Sequence, residues 1–346
     1  MARHPAKRPL PILPTPRGHR RGLTPAGIGA LLLVVVFVAC VGSLPWSAGR
    51  VESSGGAPVR RYEAGNLDLA LAPPSWWEST RESDVAWNAE AAAGQYVPTR
   101  LLGTDRLGRD VLARLLVGGA ISLMVGVVAA IVAVGVGSLY GALAAASGGR
   151  VDAVLMRGVD VLYGLPSILL IVMLAVAAEG ALERMGVRRG GWTGQALDLV
   201  VLLLAIAATS WLTVARVIRG QVLSLRAQPF MEACRAIGVG WTRQFRLHYL
   251  PNIVAPVVVY GALAIPAAIL SESFLSFLGI GVREPLPSWG NLAADGLSEV
   301  NTIRSRWWLL LWPCMAVGMT LLALNFVADG VRARVDPASR GRSAAT

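Results

Sequence analysis

Lysine is almost missing from this chain of 346 residues: Lys7 is the only one, and arginine supplies the rest of the 32 basic side chains. A phosphate-cradling Gly-Lys-Ser/Thr loop is therefore excluded, because Lys7 is followed by Arg8. Histidine is nearly as scarce. His4, His19 and His248 lie too far apart for an HExxH zinc site, and the first two sit in a basic tail, so no serine–histidine dyad is expected. The three cysteines, Cys40, Cys234 and Cys314, form neither a disulfide framework nor a metal-ligand spacing, and three unpaired thiols are expected. "GSLYG" (Gly137–Gly141) is not a GxSxG elbow; its glycines suit close helix approach. No covalent chemistry, metal or bound cofactor is expected of this chain.

Charge is also low. Only 15% of residues are charged, 54% are apolar, and the mean hydropathy is +0.56, which excludes an ordinary soluble domain. The net charge of +11 would suggest nucleic acid in a soluble protein. Here the arginines sit in short loops beside apolar runs, so no nucleic-acid partner is expected and membrane lipid is.

What fills the chain instead is apolar sequence. Six runs, near 23–46, 118–146, 157–178, 198–218, 252–278 and 307–329, are long enough to cross hydrocarbon about 30 Å thick as helices of roughly 20 residues. They are continuous rather than alternating, so helices are expected to satisfy the backbone. "ASGGRVD" (Ala146–Asp152) predicts a tight turn between the second and third spans. The first span reads as an uncleaved anchor, since no small-x-small cleavage site follows it.

Orientation follows from arginine and lysine. With both ends inside, and Arg157, Arg216 and Arg219 counted there, the inner segments hold 18 of the 32 basic residues against three acids, Asp152, Glu232 and Asp336. The expected organisation is a cytoplasmic tail (1–22), a first span (23–46), an extracytoplasmic segment (47–116), a membrane core (117–330) with a cytoplasmic loop at 219–251, and a second tail (331–346). Residues 47–100 are polar, with Pro73-Pro74 and "SWWEST" (Ser75–Thr80). A small subdomain and a flexible loop both fit them.

The inner loop contains "MEACRAIGVGWTRQFRLHYLPN" (Met231–Asn252). A tether would be rich in Gly, Ser and Pro. Here Phe230, Ala233, Ile237 and Trp241 recur at helical steps, Gly238 suits a bend, and Pro251 marks the end before the fifth span. The pattern describes a short amphipathic helix and turn. It would either dock a soluble partner or lie on the membrane surface with its arginines on lipid phosphates.

These residues resemble a family. Glu232, Ala233, Cys234, Gly238, Leu250 and Pro251 are similar to the EAA loop, E-A-A-x3-G-x9-I-x-L-P, of binding-protein-dependent ATP-binding-cassette importers. Cys234 replaces the third alanine and His248 the isoleucine. "LLGTDRLGRDVLARLLVGGAISL" (Leu101–Leu123), "SFLSFLGIGVREPLPSWGNLAADG" (Ser273–Gly296) and "ADGVRARVDP" (Ala328–Pro337) resemble the dipeptide, oligopeptide and nickel permeases of that group. The resemblance spans roughly 100–337. It implies an all-α, six-span, type I importer membrane fold in the cell membrane. It also implies a second permease subunit of a different chain, two cytoplasmic ATPases that carry ATP and Mg, and an extracytoplasmic solute-binding protein. Glu232 and Arg235 would contact the ATPase and Gly238 would shape the helix–turn.

Other residues carry two readings each. Glu272, in "ILSESFLSF", is costly in a span unless it faces protein or water. A place in the translocation path and a structural hydrogen bond, with Ser271, Ser273 or Ser276 as partner, both fit. Pro256 and Pro266 should loosen the fifth span, for a cavity that changes shape or for static packing. "GTDRLGRD" (Gly103–Asp110) fits binding-protein docking or a helix start capped by Thr104 or Asp105. Trp307, Trp308 and Trp312 look like an interfacial anchor. A stand-alone secondary transporter would need broken or charged helices at mid-membrane in both halves, and no such pair is present. An enzyme with 47–100 as its outer domain would lack histidine and cysteine there.

Overall fold

The structure is a computed structural model that describes residues 24–52, 58–77, 81–94, 96–187, 191–300 and 305–335. The basic tail with Lys7, His4 and His19, and the chain from 336 onward, lie outside the described residues. The order is α1 (Pro25–Gly42), α2 (Leu44–Ser47), β1 (Arg50–Glu52), β2 (Pro58–Arg60), α3 (Arg81–Ala92), α4 (Val111–Ser147), α5 (Gly149–Tyr163), α6 (Ser167–Arg184), α7 (Gly191–Arg226), α8 (Pro229–Ala236), α9 (Trp241–Gln244), α10 (Leu250–Phe277), α11 (Trp289–Leu297) and α12 (Trp307–Val335).

Five stretches are single helices long and apolar enough to span a membrane: Pro25–Ser47, Val111–Ser147, Gly191–Arg226, Trp241–Phe277 and Trp307–Val335. The third expected span, 157–178, is not one straight helix. It falls on α5 and α6, which meet at 94°. The break lies at Gly164-Leu165-Pro166, where a residue before proline is pushed out of the helical region. Six crossings result only if the bent pair counts as one.

α4 and α7 form the centre of the bundle, and small residues let them meet. A Cβ on Gly137 would lie 2.6 Å from the Trp211 carbonyl and one on Gly141 would overlap that of Ala215, so the glycines of "GSLYG" serve close packing as expected. The Ala146–Asp152 turn is also present: Gly148 and Gly149 take φ of +61° and +56°, values that favour glycine. It returns the chain so that Asp152 of α5 accepts a bidentate pair from Arg219 of α7, at 2.5 and 2.6 Å.

The described part of 47–100 contains two short strands and the helix α3. β1 and β2 pair antiparallel, with Val51 opposite Val59. Tyr62 and Leu69 are buried, and the Thr104 hydroxyl donates to the Leu69 carbonyl at 2.6 Å while accepting from the Ala72 amide at 2.8 Å. Neither Thr104 nor Asp105 caps the helix that follows. Asp110 does, accepting from the Leu112 and Ala113 amides, because Thr104 is used by the segment before it. Asp105 instead closes its own turn, accepting from the Leu107 and Arg109 amides at 2.9 and 2.8 Å.

The tryptophans at the start of α12 divide. Trp308 is buried in a cluster with Val111 and Leu309, so it is core rather than anchor. Trp307 and Trp312 stay nearer the surface and gather Trp76 and Trp77 in edge-to-face contacts, the Trp77–Trp307 centroids being 5.0 Å apart.

Candidate functional site

The polar loop between α7 and α10 is helical, as its spacing predicts. Pro229 opens α8 at a position that loses no hydrogen bond. The Ile237 and Gly238 amides return to the Ala233 and Arg235 carbonyls, and Gly238 takes φ +75°. That left-handed residue ends α8 and turns the chain toward α9. A Cβ at Gly238 would touch nothing within 4 Å. The glycine is therefore there for backbone conformation, not for space inside this chain.

The four positions of the expected ridge do not lie on one helix: Phe230 and Ala233 are on α8, Ile237 is its C-cap, and Trp241 opens α9 beyond the turn at Gly238. Phe230, Ala233 and Trp241 are exposed, and Ile237 is 78% exposed. Glu232 and Arg235 share this open surface, with Arg235 donating to the Arg226 carbonyl at 2.9 Å. What holds the loop to the bundle is a pair that the ridge pattern passes over. Met231 and Tyr249 are fully buried against Ile218 and Val222 of α7 and Ile253 of α10. One buried position in an eight-residue helix leaves no period to read, so only the exposed positions were legible. Trp241 leans on Tyr249 with centroids 5.2 Å apart, and Gln244 ties back to the Val239 carbonyl at 2.6 Å.

Pro251 does not end the loop. A π-turn over Phe245–Tyr249 carries the helical path straight from α9 into α10, and Pro251 falls in the first turn of α10 beside Leu250. Proline has no N–H for the carbonyl four residues back, and a wider turn just before it removes that demand.

Glu272 is fully buried. It accepts from Ser276 at 2.7 Å and from Ser273 at 3.3 Å, with Ser122 on α4 and Ser288 at the start of α11 standing nearby, their hydroxyls accepting from the Trp289 and Asn291 amides. Ser271 bonds the Ala267 carbonyl instead. Pro266 is buried in the same helix, and α10 continues through both of its prolines. The structure thus brings Glu272 together with serines from three elements. Ser288 and Asn291 form a capping box, and the Asn291 amide also donates to the Val282 and Leu286 carbonyls. The "PLPSWGN" segment is in this way stitched onto α11.

A second polar cluster joins the start of α4 to the loop before α11. Arg109 pairs with Asp105 at 2.6 Å and with Glu284 at 2.9 Å, and Arg114 donates to the same Glu284 oxygen at 3.1 Å. Burial alone would raise the Glu284 carboxyl, but the two guanidiniums hold it below the ordinary value. Asp295, on α11, is pushed up by burial despite the nearby Arg114.

The described residues contain no cluster of His, Cys, Asp and Glu fit for a metal ion, and the three cysteines are unpaired. Comparison with known proteins gives the following. Residues 133–341 match the family described as "Binding-protein-dependent transport system inner membrane component". The chain is 36% identical to the oligopeptide transport system permease protein OppC of Haemophilus influenzae over 272 residues, 79% of this chain and 80% of that one. It is 39% identical to the dipeptide transport system permease protein DppC of Bacillus subtilis over 238 residues, 69% and 68% of the two chains. With the di/tripeptide transport system permease protein DppC of Pseudomonas aeruginosa it shares 31% identity over 96% of both chains, so that match takes in residues 47–100 as well.

Proposed function

The chain belongs to the family of inner membrane components of binding-protein-dependent transport systems, and we propose that it carries peptides, driven by ATPases that dock on the loop between α7 and α10. It is a multi-pass inner membrane permease subunit. The names of its relatives, for oligopeptides, dipeptides and tripeptides, support peptides as the solute. Glu232, Ala233, Cys234, Arg235, Gly238, Leu250 and Pro251 form the coupling loop in this reading. The observation that carries it is the apolar ridge left uncovered on a helix whose other side is pinned to the bundle, with Ile237 78% exposed at its tip. An exposed large apolar residue beside charged ones fits a protein groove.

The working assembly holds this chain, a homologous second permease, two cytoplasmic ATPases and an extracytoplasmic solute-binding protein. ATP and Mg stay on the ATPases. The arginine bias supports both termini and the loop on the cytoplasmic side. ATP binding closes the ATPase pair, draws the loops together and opens the bundle outward; hydrolysis resets it, as a two-state bundle biased by a ligand does. The chain itself is not the enzyme.

Ile237→Asp tests the docking. Charge at the tip should abolish recovery of the ATPases with the tagged chain and stop uptake, while the amount of chain in the membrane stays unchanged. Normal recovery and uptake would place the ATPase contact elsewhere.

A further inference from the structure

A cavity of about 410 Å³ opens where α1 and α2 end and α4 and α7 begin. Its walls are apolar: Val41 and Leu44 on one side, Ile121 and Met124 on the second, Ala196 and Leu199 on the third. Its lining runs over 117–124 on α4 and 192–199 on α7, about 10 Å along each helix axis. Val41, Met124 and Trp192 are exposed at its edges, so it is open rather than sealed. The three long helices that form it are membrane spans, and the medium at the opening is therefore lipid.

The polar side chains at its mouth are Arg60 and Tyr62. The partly exposed Arg60 guanidinium lies 4.3 Å from the Trp192 ring centroid and donates to the Tyr62 hydroxyl at 3.4 Å. In the β1–β2 hairpin Arg50 stands directly opposite Arg60. Like charges at paired positions repel, and among the described residues neither arginine has a carboxylate within ion-pair distance. A neutral apolar molecule would fill the walls and leave that repulsion; a free anion would relieve it and leave the walls bare. We propose that the cavity holds an acyl chain of an anionic phospholipid, with the phosphate on Arg60 and Arg50 at the mouth. Arginine stacked on an exposed tryptophan at the end of a span suits the headgroup level. The site stands apart from the coupling loop, and only the leaflet that supplies the lipid rests on the orientation proposed above.

The test uses the full chain, purified with its co-purifying partners in phosphatidylcholine nanodiscs. A trace of phosphatidylglycerol with a diazirine in one acyl chain is photolysed there, and labelled peptides are mapped by mass spectrometry. Labelling is expected to concentrate on 117–124 and 192–199. It should exceed that by a phosphatidylcholine probe with the same chains about tenfold, the effect of two arginines near a lipid charge. Arg50→Gln with Arg60→Gln should bring the two probes level. Ala196→Trp, which fills the cavity from an exposed position, should remove the labelling of 117–124 by either probe. Variants are checked by size-exclusion chromatography; should the arginine variant fail to fold, the two probes on the unaltered chain and Ala196→Trp decide. Labelling spread evenly over the spans, or a headgroup preference that the arginine variant leaves intact, overturns the proposal. So does protection of both segments from both probes, which would mean that a protein surface covers the cavity. Recovery of a second permease and of ATPases is scored on the same sample, so failure of the permease reading shows separately.

Discussion

The Cys234 sulfur and the His248 Nε2 lie 3.7 Å apart. These are the two positions at which the loop departs from the EAA pattern, and the fold makes them neighbours across the turn between α8 and α10. Phe230 stacks edge-on against the same imidazole, with centroids 5.9 Å apart. The departures are therefore one change in packing rather than two. The double substitution Cys234→Ala with His248→Ile should be less harmful than the two single effects summed. A coupling of about 1 kcal/mol is expected for residues in contact. A double-mutant cycle on thermal unfolding in detergent reads it, and strict additivity would mean that the contact carries no energy.

Gly238 should behave differently in the chain and in the assembly. Its φ of +75° costs an L-residue about 1–2 kcal/mol, but no atom of the chain obstructs a side chain there. Gly238→Trp should leave membrane insertion intact, lower stability by no more than that backbone cost, and abolish uptake. Uptake at the normal rate, with a normal amount of chain in the membrane, would count against docking by this turn.

Gly141 should show the reverse. Its Cβ position coincides with the Ala215 backbone of α7, so Gly141→Leu forces the two central helices apart. Overpacking of this kind costs on the order of 2 kcal/mol or more. A lower melting temperature with the ridge of α8 untouched is expected; an unchanged one would mean that the helices can slide without loss.

Much of this was legible in the sequence, and the reasons are physical. Apolar runs report spans because lipid demands about 20 helical residues, and helical spacing marked Phe230, Ala233, Ile237 and Trp241 as a set, all of them exposed, though the turn at Gly238 puts Trp241 on a second helix. The bend at Gly164–Pro166 was missed because composition records how apolar a segment is, not its direction. Asp110 rather than Thr104 as the helix cap, Met231 as the buried foot of α8, and Trp308 as core all depend on partners distant in sequence. The serine cage of Glu272 was half visible. Ser273 and Ser276 are neighbours in the chain, but Ser122 and Ser288 come from other elements.

That cage separates the two roles open to Glu272. In a structural role, Glu272→Gln keeps an acceptor for the serines and should cost little, whereas Glu272→Leu leaves buried hydroxyls unpaired at about 1–3 kcal/mol. Melting temperature and uptake should then fall together. Loss of uptake by Glu272→Gln at an unchanged melting temperature would place the carboxyl in the solute path instead.

Acid should loosen the cluster at the start of α4. The Glu284 carboxyl is held below its ordinary value of 4.5 by Arg109 and Arg114. A depressed carboxyl contributes stability that is present above the unfolded value and lost as pH falls through the folded one. Asp295, raised by burial, acts in the opposite sense. The melting temperature should therefore drop more steeply below pH 4.5 in the wild type than in Glu284→Gln. Parallel curves would remove Glu284 from the account.

The most direct measurement of the central claim is the composition of the assembly. The tagged chain is extracted from its native membrane in mild detergent, and whatever accompanies it is identified and counted. The account predicts a second permease and two copies of an ATPase per complex, with the ATPases lost on Gly238→Trp. A chain that purifies alone, and moves solute in liposomes without ATP, would contradict it.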